Sequence, residues 1–271
     1  TTGHCRVYGP FNKLDFEGVM NVNAQLEVPA NGVTYALENA KVNIDSGLFQ
    51  LENSKITAPL GGKGIISASL RHTKLKRFSY DLNLEAERLL LYDKPRSMDM
   101  PFYATTFASG NVKIKGLPNS LTLDVNASPT GNSLIVYTDT KTVNTNNPDD
   151  GFITYRDLTT DSVSTSHITA MPMMHAPTMD MHMRFNINMN PAITLRILMD
   201  EVTGDHLNLR GNGTLTADYY NKGAFQLYGK FDINDGNYQM SIQDVLKKNF
   251  DIQSGSAIIF GGDPDYAQLA L

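Results

Sequence analysis

The sequence predicts an all-β fold. Three observations carry that reading: long runs of strict apolar–polar alternation, turn residues at short intervals, and no amphipathic helix able to cover a sheet. The alternation is plainest near the C-terminus. Phe225, Leu227, Phe231 and Ile233 share one parity, and Gln226, Tyr228, Lys230 and Asp232 the other. Asp235-Gly236 predicts a hairpin turn, after which Tyr238, Met240 and Ile242 resume the apolar face. Phe250 and Ile252 start again, Ser254-Gly255 turns, and an apolar run over 257–260 ends at Gly261-Gly262-Asp263-Pro264. The chain stops inside a further strand beginning at Gln268, which predicts a piece of a longer protein.

From the N-terminus, Arg6-Val7-Tyr8 and Leu14 to Phe16 precede a clean alternating strand with Val22, Ala24, Leu26 and Val28 on one face. Short strands follow at Tyr35–Leu37, Val42–Ile44, Leu48–Leu51 and Ile56–Ala58, separated by polar residues. Gly61-Gly62-Lys63-Gly64 opens a strand over 65–70. Tyr80, Leu82 and Leu84 alternate, and 86–91 reads either as a short helix or as a strand. A polar connector over 93–101 leads to Val112–Ile114 and then to Leu121, Leu123 and Val125. This strand–Gly/Pro turn–strand loosely echoes Arg6 to Phe16. Residues 138–151 have no apolar period and predict a loop, dividing the chain into an N-terminal part, 1–137, and a C-terminal part, 152–271. In the latter, 152–155 is a strand candidate and 159–169 is polar. Met181, Met183, Phe185, Ile187 and Met189 then face one way, with Asp180, His182, Arg184, Asn186 and Asn188 the other. Leu207, Leu209, Leu215, Ala217 and Tyr219 continue the pattern.

Composition excludes several classes. The 271 residues suffice for one large or two ordinary domains. A net charge of −5 with mixed signs leaves no nucleic-acid footprint. The single cysteine, Cys5, rules out an intramolecular disulfide framework. No apolar run is long enough for a membrane-spanning helix.

The chemical candidates are weak. His167, His175 and His182 among Met171, Met173, Met174 and Met179 could suit copper, but the spacing fits no structural metal motif. His4 and Cys5 are adjacent and point to opposite faces of a strand. The glycines before Lys63 lack P-loop spacing, and Asp263-Pro264-Asp265 reads as a turn rather than a carboxylate pair. Arg71, Lys74, Lys76 and Arg77 form a small basic run, either a solvated face or a contact for lipid headgroups. No metal, cofactor or catalytic residue is expected.

Alternation alone leaves open a sandwich, a β-helix and a sheet curled on itself. Several stretches resemble the C-terminal domain of the TamB family, within the AsmA-like envelope proteins. They are Phe225-x-Leu227-x-Gly229, Asp235-Gly236-x-Tyr238, Phe250-x-Ile252-x-x-Gly255-Ser256-x-Ile258-x-Phe260 and Gly262-Asp263-Pro264. Asp200 with Arg210-Gly211-x-Gly213-x-Leu215 fits too, as does Phe102-Tyr103 with Ser109-Gly110-x-Val112-x-Ile114-x-Gly116.

The resemblance implies a long curled single sheet, a β-taco, with an open apolar groove. Roughly 20 strands stacked at about 4.8 Å would make it ~90 Å long. It implies a non-enzymatic periplasmic segment, anchored at the inner membrane by an N-terminal helix outside this sequence. Its implied work is to conduct phospholipids to the outer membrane, with a TamA-type β-barrel as partner. The expected groove residues are the apolar parity: Val22, Ala24, Leu26, Val28, Tyr80, Leu82, Leu84, Leu121, Leu123, Val125, Met181, Met183, Phe185, Ile187, Met189, Leu207, Leu209, Phe225, Leu227, Phe231, Ile233, Tyr238 and Met240. The alternatives are a chaperone or scaffold for outer-membrane protein assembly, which would use a sheet edge, and a β-helical carbohydrate enzyme, for which no acid–base cluster can be assembled.

Overall fold

The computed structural model describes residues 1–11, 14–97, 102–131, 133–138, 179–201, 203–242 and 246–270. The predicted loop beyond 138, the strand candidate at 152–155 and the polar stretch at 159–169 lie outside them. Among the described residues the only helical element is one 3-10 turn, Pro264–Tyr266. The stretch 86–91 is strand, not helix.

Among the described residues sixteen strands make one sheet. They are β1 (Thr2–Tyr8), β2 (Asp15–Val28), β3 (Val33–Asp45), β4 (Leu48–Thr57), β5 (Lys63–Thr73), β6 (Lys76–Lys94), β7 (Phe102–Leu117), β8 (Ser120–Pro129), β9 (Leu134–Thr138), β10 (Asp180–Met189), β11 (Thr194–Asp200), β12 (Asp205–Tyr220), β13 (Gln226–Ile242), β14 (Leu246–Ile252), β15 (Ala257–Gly262) and β16 (Gln268–Ala270). Neighbours are antiparallel except β8 with β10 and β9 with β11. The main path holds 13 strands, so the stack is about 60 Å long at ~4.8 Å per step, shorter than the expected 90 Å.

The pairings close a ring of six strands, β7-β8-β10-β12-β11-β9, where an open groove was expected. The registers show how it closes. β6 occupies one edge of β7, so β8 and β9 share the other edge end to end, opposite Ala108–Leu117 and Phe102–Thr105. Likewise β10 and β11 share one edge of β12. Ser120 faces Asp180 and Leu134 faces Thr194, the same 60-residue separation before and after the interruption. The two short parallel pairs are therefore one broken pair, while β7 and β12 run through. At the break the sheet folds over.

Ring contacts show how far it folds. Val112, Val125 and Phe185 are in register, and Phe102 lies ten residues along β7 from Val112, ~33 Å in a straight strand. Yet the Phe102 and Phe185 rings are 6.4 Å apart, centroid to centroid. Phe102 meets Phe225 at the same distance, and Tyr137 Oη donates to Asp265 at 3.4 Å. One arm of the sheet thus lies on the other, and the ring is a flattened barrel whose corners are bent strands.

Bulges let the strands bend without ending. Asn39, Asn53 and Arg88 have φ of 51°, 44° and 49°, each where the register shifts or pairing lapses. Each gives its backbone N–H to a side-chain oxygen on the neighbouring strand: Asn23 Oδ1 at 2.6 Å, Ser67 Oγ at 3.2 Å and Ser109 Oγ at 2.9 Å. This corrects several boundaries. Tyr35–Leu37 and Val42–Ile44 are one strand, as are Leu48–Leu51 and Ile56–Ala58. Asp235-Gly236 is not a hairpin turn: β13 runs through it, with the register shifting opposite Arg210/Gly211. The extra residue at the shift is Asn234, and Asp235 and Gly236 pair with Arg210 and Leu209 as ordinary strand residues.

Two apolar clusters lie along the fold. One gathers Val33, Tyr35, Ile56, Ile66, Leu84, Leu89, Leu90 and Val112. The other gathers Met189, Ile193, Leu195, Leu209, Leu215, Phe231, Ile233, Ile258 and Phe260. Tyr35 ties β3 to β6 in the first: its hydroxyl donates to Leu90 O at 3.0 Å and accepts from Asn31 Nδ2 at 2.9 Å. Burial pushes its phenol from 10.0 up to about 12, against the opposing Asn31 hydrogen bond. The neutral phenol is the form the fold favours. Its contribution is complete below pH 10 and is lost as pH rises towards 12. Alkaline denaturation should show stability falling in that window, and Tyr35→Phe should flatten the fall while costing about 1–2 kcal/mol at neutral pH.

Candidate apolar site

The apolar parity lines up across strands into rows. Leu84, Val112, Val125, Phe185, Ala217 and Leu227 are successive register partners. The next row is Leu82, Ile114, Leu123, Met183 and Tyr219, and the next Tyr80, Gly116, Leu121 and Met181. On the other side of the first row, Ile187 faces Leu215, and Met189 faces Gly213, which faces Phe231. Large and small residues interlock there: a Cβ on Gly211 would lie 3.0 Å from Phe231 Cζ. The opposite parity is wet and paired. Asn186 Nδ2 donates to Asn126 Oδ1 at 2.9 Å, Thr216 Oγ1 donates to Asn186 Oδ1 at 3.0 Å, and Arg184 Nε meets Asp218 Oδ1 at 2.9 Å.

The expected groove residues divide by exposure. Leu84, Met189, Leu209, Phe231 and Ile233 are buried, Leu209 at 0% and Phe231 at 1% exposure. These are core, with no surface to offer a ligand. Ala24, Leu26 and Tyr80 are exposed. Leu26 faces Tyr35 across β3, but β1 pairs only with Asp15–Asn21 of β2, so nothing continues the sheet beside it. Tyr80 lays its ring over Gly116. Val22, Val28, Leu207, Leu227, Tyr238 and Met240 are half-buried; Val28, Leu207 and Leu227 pack against the clusters, and Tyr238 stacks on Phe250 at 6.2 Å. Leu82, Leu123, Val125 and Ile187 are half-buried at cluster margins.

That leaves Leu121, Met181, Met183, Phe185 and Phe225, half-buried and in neither cluster. All but Phe225 lie on β8 and β10, on the arm that extends past the Phe102 contact. Sequence reasoning missed Phe102, the ring that closes the arms. Alternation gave no sign of it, because the contact joins residues far apart in the chain.

The chemical candidates are placed only in part. His167, His175, Met171, Met173 and Met174 lie outside the described residues. His182 sits on the parity opposite Met181 and Met183, its ring stacked 4.2 Å from Tyr220. Among the described residues no three His, Cys, Asp or Glu come together. Asp263 caps the 3-10 turn by accepting from the Asp265 N–H. Gly61-Gly62 is the β4–β5 turn. Asp15 has a structural role: Ser46 Oγ at 2.5 Å, with the N–H groups of Phe16 and Gly47, holds its carboxyl below the usual range.

The sequence model of the TamB C-terminal domain matches residues 52–271, from within β4 to the end. The chain belongs to the TamB family. Membership makes it an envelope protein, of a family tied to the translocation and assembly module or to envelope lipid transport, and associated in general terms with the outer-membrane protein TamA. It is not a family of enzymes. No curated protein and no solved structure matches the chain. No described helix is long and apolar enough to cross a membrane.

Phe231, fully buried between Gly213 and Ile258, should behave as core and not as lining. Phe231→Ala should lower stability by about 3–5 kcal/mol in chemical denaturation.

Proposed function

We propose that the chain is a periplasmic segment of a TamB-family bridge, anchored at the inner membrane through a helix outside this sequence. It conducts phospholipid acyl chains along its apolar face towards a TamA-type outer-membrane barrel. The observation that carries the reading is the half-buried strip at Leu121, Met181 and Met183, which runs on beyond the Phe102–Phe185 contact without joining either cluster. An acyl chain of sixteen carbons entering water loses about 13 kcal/mol, at ~0.8 kcal/mol per methylene. An apolar strip offsets most of that without selecting one lipid, and methionine adapts to irregular partners.

A second reading, a scaffold for outer-membrane protein assembly, draws on the edges. Among the described residues β1 and β16 each pair on one side only and are exposed at every residue, and β14 is exposed nearly throughout. Such edges could take up a client strand by backbone pairing.

Photo-crosslinkers at Met181 and Met183, with Arg184 as the opposite-face control, separate the two. The conduit expects phospholipid at the first two positions and none at the third. Met181→Asp with Met183→Asp should then abolish lipid co-purification while the protein stays folded. Polypeptide captured in place of lipid, with traffic indifferent to the aspartates, would overturn the conduit and favour the scaffold.

A further inference from the structure

The β5–β6 hairpin is the most cationic element of an acidic chain. Net charge is −5, yet the run from Arg71 to Phe78 holds Arg71, Lys74, Lys76 and Arg77 and no acid. All four are exposed, and none is ion-paired among the described residues. Two large apolar residues stand among them: Leu75 is 40% exposed and Phe78 44%.

The tip is also held rigid. Lys74 and Leu75 have φ of 55° and 56°, and Arg77 has 50°, a conformation that Gly or Asn adopts far more readily than Leu. The Leu75 N–H is held by His72 Nδ1 at 3.1 Å, which fixes the turn. Beneath it an aromatic row crosses the sheet: Phe16, Phe49, His72 and Phe78, with centroids 6.0, 5.4 and 6.0 Å apart. Phe78 and Tyr80 follow one another on the apolar parity of β6, and Tyr80 begins the row ending at Met181. Asp45 shares a register row with Arg71 through Leu48, while two other acids close by are engaged elsewhere. Asp15 binds Ser46 and Gly47, and Asp81 lies 3.9 Å from Lys115.

We propose that this hairpin docks on a bilayer surface containing anionic phospholipid, with the four cations over the headgroups and Leu75 and Phe78 at the acyl boundary. A free phosphate ion would satisfy the cations but leave both apolar side chains in water; a bilayer takes all six. Docking there would present the rim of the apolar strip to the membrane. The inference is independent of lipid conduction: a chain could dock and carry nothing.

The test is flotation of the intact chain with vesicles of phosphatidylethanolamine and phosphatidylglycerol, against vesicles of phosphatidylcholine alone. Binding is expected to the first, falling as salt is raised. Lys74→Glu, Lys76→Glu and Arg77→Glu together should weaken it by about a hundredfold or more, since each cation contributes roughly a fivefold factor. Leu75→Asn, which suits the backbone, should lower affinity several-fold with no loss of thermal stability. Lys247→Glu with Lys248→Glu on β14 should bind as the unaltered chain does. So should Met181→Asp with Met183→Asp, so failure of the conduit would not mimic failure of docking. The proposal falls if the chain does not float with anionic vesicles, if the triple variant floats equally well, or if inorganic phosphate at constant ionic strength displaces the chain.

Discussion

A sheet with one apolar face and no helix to cover it must cover itself. The rest of the architecture follows from that constraint. The apolar side chains of β7, β10, β12 and β13 would lie in water on a flat sheet. The fold at the β8/β9 and β10/β11 interruptions brings Phe102 onto Phe185 and buries Leu209 and Phe231. Each buried leucine or phenylalanine is worth about 2–3 kcal/mol relative to exposure, so even a few such residues outweigh the local cost of breaking two strands.

The bulges show how the long strands survive the bend. A residue with positive φ at a bulge leaves an N–H without a ladder partner on the exposed side of the sheet. At Asn39, Asn53 and Arg88 a side-chain oxygen from the next strand takes that N–H. The oxygen comes from Asn or Ser each time, short side chains that reach a neighbouring backbone. The asparagine and serine of this chain therefore do more than mark turns.

This explains what the sequence could disclose. Period-2 alternation identified the all-β class and placed Met181 to Met189 and Phe225 to Ile233 on one face, because parity is a local property. The same signal could not tell strip from core. Met183 and Phe231 have the same parity, but only Phe231 lies where the other arm covers it. Asp235-Gly236 misled for a related reason: the pair favours a turn, and only the partner strand decides whether it ends a strand or continues one. The family resemblance was legible because it rests on glycine and aromatic positions spread over the chain. Its arm-to-arm closure through Phe102 was not, since no local period encodes it.

The broken parallel pair has one more implication. β1 to β9 form one antiparallel run and β10 to β16 another, and among the described residues strands of the two pair along β8–β10 and β9–β11 alone, with side-chain bonds such as Tyr137 to Asp265 and Thr138 to Glu201 added. The chain thus holds together as two unequal subunits would, through an edge-to-edge interface whose one register is kept across its interruption. Severed between Thr138 and Asp180, each fragment would carry a free strand edge that matches only the other, the arrangement from which split proteins regain their fold by complementation.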